Sequence, residues 1–99
     1  MSGLPGGFGP EKPANERIQA ACDWVRNEFQ YQSGINAGEF TALVYRLQVV
    51  AGYNYIVKVA IGGQFCHVKI FEPLSNAAEE PKLLGFQCGK TKEETIAVF

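Results

Sequence analysis

Apolar residues recur at three- and four-residue spacing between Ile18 and Phe29: Ile18, Ala21, Cys22, Val25 and Phe29 form one stripe. Arg17, Asp23, Arg26, Asn27 and Gln30 fall on the other faces, so the spacing predicts one long amphipathic helix. Asn15 is placed to cap its start, Glu16 meets the positive end of the helix dipole, and Gly34 is a stop signal. Trp24 lies off the centre of the stripe and is expected to flank the core, partly exposed.

After Gly38 the period changes from 3.6 to 2. Phe40 to Val50 is rich in strand formers. Tyr53 to Ile61 alternates, with Asn54, Ile56 and Lys58 on one side and Tyr55, Val57 and Val59 on the other. Gly62-Gly63 offers a two-residue hairpin turn. In the strand Phe65 to Phe71, Cys66, Val68 and Ile70 oppose His67 and Lys69. Pro73 to Pro81 holds turn formers and acids and reads as a loop; Leu83 to Cys88 is a further strand. The tail 90–99 is charged until Ile96, Val98 and Phe99. A helix followed by hairpin-joined strands is an α+β pattern, one long N-terminal helix packed on an antiparallel sheet.

Residues 1–14 are too rich in Gly and Pro for a helix and read as an extended or mobile arm. A tail with no role is the alternative, although Leu4 and Phe8 bracket Pro5-Gly6-Gly7 and a solvating tail needs neither. At 99 residues the chain is expected to be a single domain, 1–99, with 1–14 as its flexible arm.

Charge narrows the function. A net charge of −1 lacks the basic excess of a nucleic-acid binder or a polybasic membrane anchor. No apolar run approaches the roughly 20 residues that span a bilayer, and the N-terminus shows no secretory pattern. Three cysteines, an odd number, then suggest reduced thiols in a cytoplasmic chain.

Candidate catalytic groups do not assemble. The one histidine, His67, neighbours Cys66 on a strand, where adjacent side chains point to opposite faces. Cys22 and Cys88 sit in apolar patterns and read as small core residues, and His67 as a surface residue. The cysteines lack metal-ligand spacing, the glycines fit no phosphate loop, and the acid pairs Glu79-Glu80 and Glu93-Glu94 lie in solvated stretches. The expectation is no enzyme, no metal and no cofactor.

The informative residues are apolar ones in places that should be wet. Val49 and Val50 stand where two strands connect, a position that usually carries Asn, Asp or Gly. The plainer reading is that Val50 continues the strand and only Ala51-Gly52 turns. Leu74 is a second apolar residue in a polar loop. Alternate tips of antiparallel hairpins share one end of a sheet, and the N-terminal arm could lie there too. Together these elements would form an exposed edge suited to protein–protein contact.

Gln48-Val49-Val50-Ala51-Gly52 resembles the Q-V-V-A-G signature of the cystatin superfamily. The rest of the chain is similar to the disulfide-free stefins, or type 1 cystatins. Leu4-Pro5-Gly6-Gly7, Lys12-Pro13-Ala14, Ile18-Gln19, Asn54-Tyr55, Ile56 to Val59, His67 to Phe71, Gly85-Phe86-Gln87 and Phe99 carry that likeness. It implies a helix cradled by a curved antiparallel sheet of about five strands, and reversible inhibition of papain-like cysteine proteases such as cathepsins. The implied protease-binding residues are the trunk Leu4, Pro5, Gly6 and Gly7, the first loop Gln48, Val49, Val50, Ala51 and Gly52, and the second loop at Leu74. Stefins usually read Leu-Pro-Gly at that second loop, whereas this chain reads Leu74-Ser75-Asn76. The expected partner is the protease, bound by a monomer. A domain-swapping or sheet-edge interaction module without inhibitory activity is the alternative, the valine-rich hairpin serving as a hinge in a swapped dimer.

Overall fold

The computed structural model describes residues 7–74 and 79–99; Leu4, Pro5, Gly6, Ser75 and Asn76 lie outside them. The helix, α1, spans Glu16–Ser33. Asn15 caps it through its side-chain oxygen, which accepts from the Ile18 N–H at 3.0 Å. Gly34 ends it at φ 74°, in the left-handed region that a side chain disfavours, and its N–H returns to the Gln30 carbonyl. All five stripe residues are buried, and Trp24 is 56% exposed.

Among the described residues five strands form one open antiparallel sheet in chain order: β1 Lys12–Pro13, β2 Thr41–Val50, β3 Gly52–Ile61, β4 Gln64–Glu72 and β5 Lys82–Lys90. The alternation read along β3 and β4 holds. Tyr55, Val57, Val59, Cys66, Val68 and Ile70 face α1 and make the core with Ile18, Cys22, Val25 and Phe29. The β3–β4 turn is Gly62-Gly63, both at positive φ, and the Glu39 carboxylate accepts the Gly62 N–H at 2.8 Å. Gln19 fastens the helix to the sheet. Its amide donates to the Phe40 carbonyl at 2.8 Å and accepts from the Ala42 N–H at 2.9 Å.

Three expectations change. Part of the arm is paired: Gly9 N–H donates to the Leu47 carbonyl, Lys12–Pro13 align with Tyr45 and Val44, and Ala14 N–H reaches the Leu43 carbonyl. Extended is therefore the right description of residues 9–14, and the pairing makes the fifth strand.

His67 is not a surface residue. It is 1% exposed, because the tail after β5 lies over the outer face of the sheet. Lys58 donates from Nζ to the Lys92 carbonyl at 2.7 Å, the Ile96 carbonyl accepts from Arg46, and Ile96 and Ile56 are both buried. A sheet face that would otherwise meet water is thus covered by chain.

Cys66 and Cys88 are not thiols. They form a disulfide between β4 and β5, with Cα atoms 4.1 Å apart. A register shift between Phe65 and His67 brings the two side chains opposite each other on the core side. The reduced-thiol reading holds for Cys22 alone, which is free and buried, and the bond is a departure from the disulfide-free pattern of the branch the chain resembles. Among the described residues no helix is long and apolar enough to cross a membrane.

Candidate functional site: an apolar rim at one end of the sheet

Strand pairing places the out-of-place apolar residues. Val49 pairs with Tyr53, and Tyr53 pairs with Glu72, so these residues form a row across the end of the sheet. Leu74 follows Glu72 by two positions. Val49 is 62% exposed, Val50 41% and Leu74 49%, while Pro73, which joins Leu74 to β4, is buried. Val50 does continue β2, as the plainer reading had it, and pairs with Gly52 across the single residue Ala51. The tip is exposed all the same, because the strand outruns the helix and the tail that cover it elsewhere. The Gly9–Leu47 bond leads the N-terminal chain along β2 toward this end, and Gly7 is exposed there. Leu4, Pro5, Gly6, Ser75 and Asn76 are not among the described residues, so of the three expected projections the structure brings two together.

The tip rests on a tight base. Gly52 has φ 132°, and a Cβ on it would stand 2.8 Å from the Glu72 carbonyl oxygen and 2.8 Å from the Phe71 ring. Only glycine lets the hairpin approach β4 so closely. Beside it, the Asn54 side-chain amide donates to the Gln48 side-chain oxygen at 2.7 Å, a cross-strand bond on the outer face.

On the helix side, Glu72 collects three donors. Arg17 Nε and Nη2 reach its two carboxylate oxygens at 3.3 Å each, and the Tyr55 hydroxyl donates at 2.6 Å. The Arg17 guanidinium also lies 5.0 Å from the centroid of the Tyr53 ring, which stacks on Tyr55. The bond to Glu72 raises the Arg17 pKa, and burial raises that of Tyr55, so both stay protonated. This brace joins the start of α1 to the ends of β3 and β4 directly under the rim. Nothing in the sequence spacing marked it.

Among the described residues the rim carries no reactive constellation. Burial pushes the Cys22 thiol up to about 12, far from the thiolate that a nucleophile requires. His67 is on the outer face and away from the rim row. Among the described residues no three of His, Cys, Asp or Glu gather as a metal site. What remains is a surface, apolar at Val49, Val50 and Leu74 and braced from below.

Comparison with known proteins agrees with this geometry. The cystatin domain family matches residues 6–93. Leukocyte cysteine proteinase inhibitor 1 of Sus scrofa is 35% identical over 97 residues, covering 97% of this chain and 94% of its own. Cystatin-A of Bos taurus is 36% identical, covering 97% and 99%. Stefin-3 of Mus musculus is 37% identical over 94 residues, covering 94% and 90%. A family match over residues 6–93, joined to relatives of 35–36% identity along nearly the whole chain, leaves one assignment: the chain belongs to the cystatin family.

Proposed function

We propose that this chain is a reversible, tight-binding inhibitor of papain-like cysteine proteases of the cathepsin class, and not an enzyme. The observation that carries the reading is the pair of exposed valines on a braced hairpin, in one row with the start of the second loop. The names of the cysteine proteinase inhibitor and stefin relatives support it.

In this mechanism the rim enters the active-site cleft as a plug. Gln48 to Gly52 sit over the catalytic residues. Leu4, Pro5, Gly6 and Gly7 occupy subsites on one side, and Leu74, Ser75 and Asn76 approach on the other. No inhibitor peptide bond is held in attack geometry over the nucleophile, so the chain blocks without being cut. Because the hairpin is fixed by Gly52 and the Glu72 brace before binding, little conformational freedom is lost on association. An interface of roughly 1,200–2,000 Å² is typical of such complexes.

Papain titrated with the chain should lose activity stoichiometrically and recover it on dilution. Val49→Asp should weaken inhibition by about 100-fold or more, since a carboxylate would be buried without a partner. Val49 is largely solvent-exposed in the free chain, so the variant should fold normally. Undiminished inhibition by Val49→Asp would refute the reading.

A further inference from the structure

The N-terminal segment and the C-terminal tail meet on the outer face of the sheet, and two cations hold them together. Arg46 of β2 donates from Nε to the Gly9 carbonyl at 2.7 Å, from Nη2 to the Phe8 carbonyl at 3.3 Å, and from Nη1 to the Ile96 carbonyl at 2.8 Å. The Glu11 carboxylate accepts the Ile96 N–H at 2.7 Å, a second bond between the two ends of the chain. Lys69 of β4 donates from Nζ to the Phe99 backbone oxygen at 2.6 Å. The same ammonium lies 5.9 Å from the centroid of the Phe8 ring and 5.8 Å from that of Phe99. Phe8 and Gly9 are therefore seated partly on the tail, and the tail on them.

A guanidinium is suited to this junction. Its donors diverge in one plane at fixed angles, so a single side chain can satisfy three carbonyls from two segments and set their relative position. The carbonyls of Phe8 and Gly9 follow directly on Gly7, where the described chain begins. Whatever fixes them fixes the point at which residues 1–6 join the fold.

We infer that Arg46 is a positioning residue for protease binding. With Lys69 and the tail residues Ile96 and Phe99, it anchors the base of the N-terminal contact, so the C-terminal tail acts on an interaction made at the other end of the chain. This rests on the inhibitor reading above. An anchored base at Phe8 and Gly9 raises the effective concentration of the N-terminal contact at its subsites. Arg46 touches no protease in this scheme; it acts through Phe8 and Gly9.

The test compares dissociation from papain for the parent chain, Arg46→Gln, a chain lacking residues 1–6, and the combination. In the full chain, Arg46→Gln should accelerate dissociation by about tenfold, the scale of one hydrogen bond to a charged group. In the chain lacking residues 1–6, the same substitution should change the rate by less than about twofold. Equal effects in both backgrounds, or no effect in the full chain, would overturn the inference. Should Arg46→Gln not fold, removal of Phe99 alone takes away the tail oxygen and ring that engage Lys69 and supplies the same contrast. Amide hydrogen exchange without protease gives an independent readout. The Gly9 N–H should exchange faster in either variant while Val57 and Val68 keep their protection. Unchanged exchange at Gly9 would overturn the anchor itself. A parent chain that fails to inhibit papain would instead overturn the inhibitor reading, and the exchange experiment would still decide whether the anchor exists.

Discussion

Arg17 and Glu72 are 55 positions apart in the chain and joined twice in space, by Nε and Nη2 at 3.3 Å from the two carboxylate oxygens. Through this pair the first turn of α1 grips the last residue of β4. Glu72 also accepts the hydroxyl of Tyr55, which is buried, whereas Arg17 is half exposed. The two partners of Glu72 are therefore unequal. An exposed ion pair contributes little, so Arg17→Ala should cost less than about 1 kcal/mol. Glu72→Ala leaves a buried phenol without its acceptor and should cost about 1–3 kcal/mol. Urea unfolding of both variants checks the order. Equal losses would mean that the ion pair, and not the phenol bond, holds the brace.

Gly52 presents a sharper constraint. Gly52→Ala places a methyl group 2.8 Å from a backbone oxygen and from an aromatic ring, at a φ that L residues rarely adopt. The hairpin must move away from β4, at a cost of about 1–3 kcal/mol. A drop in Tm of about 4–8 °C for each kcal/mol is expected for a domain of this size. Gly34→Ala offers the control. Its φ is also positive, but no atom lies within 4 Å of the added Cβ, so only the backbone contribution is lost and the drop should be smaller. Papain inhibition should fall for Gly52→Ala and stay unchanged for Gly34→Ala.

What could be read from the sequence divides along a physical line. The Ile18 to Phe29 stripe, the alternation from Tyr53 to Ile61 and the Gly62-Gly63 turn are local patterns set by the period of one element against one core, and they survived intact. Val49 and Val50 were legible for the same reason: apolar residues at a connection are anomalous whatever surrounds them. What the sequence hides is contact between distant segments, in strand pairing and in the cover of the outer face. Lys12–Pro13 is too short to alternate, so β1 has no signature. The Cys66–Cys88 bond depends on a register shift that spacing does not encode. His67, Lys58 and Arg46 carry the polar pattern of a wet face, and only the tail's return across them makes that face dry. Arg46 bonds to backbone carbonyls, which every residue possesses, so no partner could be picked out from side-chain types. The brace on Glu72 was hidden by sequence distance.

Burial of His67 has a consequence for pH. Burial lowers its pKa below the ordinary value, and the nearby Lys90 and Lys58 act in the same direction, while Glu94 and Glu11 oppose them. Its Nε2 has no hydrogen-bond partner, so a proton added there meets no acceptor. In the unfolded chain histidine titrates near about 6.5, so as pH falls the unfolded state takes up the proton first. The contribution of neutral His67 is thus complete above that value and is lost as pH drops through the lower, folded pKa. Urea midpoints measured from about pH 7.5 to about pH 5 should decline for the parent chain, and decline less for His67→Met. Parallel slopes would assign the decline to other groups.

The Cys66–Cys88 bond joins β4 to the edge strand β5 across a sequence separation of 22. Cross-linking a loop of that length restricts the unfolded chain and should contribute about 3 kcal/mol. Cys66→Ala combined with Cys88→Ala should lose that amount in urea unfolding. Dithiothreitol should lower the parent to a similar level and leave the double variant where it is. Thiol counting gives a direct check. The denatured, unreduced chain should present the single thiol of Cys22, and the folded chain none that reacts readily, because burial holds that thiol protonated up to about 12. Reaction of all three cysteines in the denatured, unreduced chain would show that β5 is held by its hydrogen-bond ladder and core contacts alone.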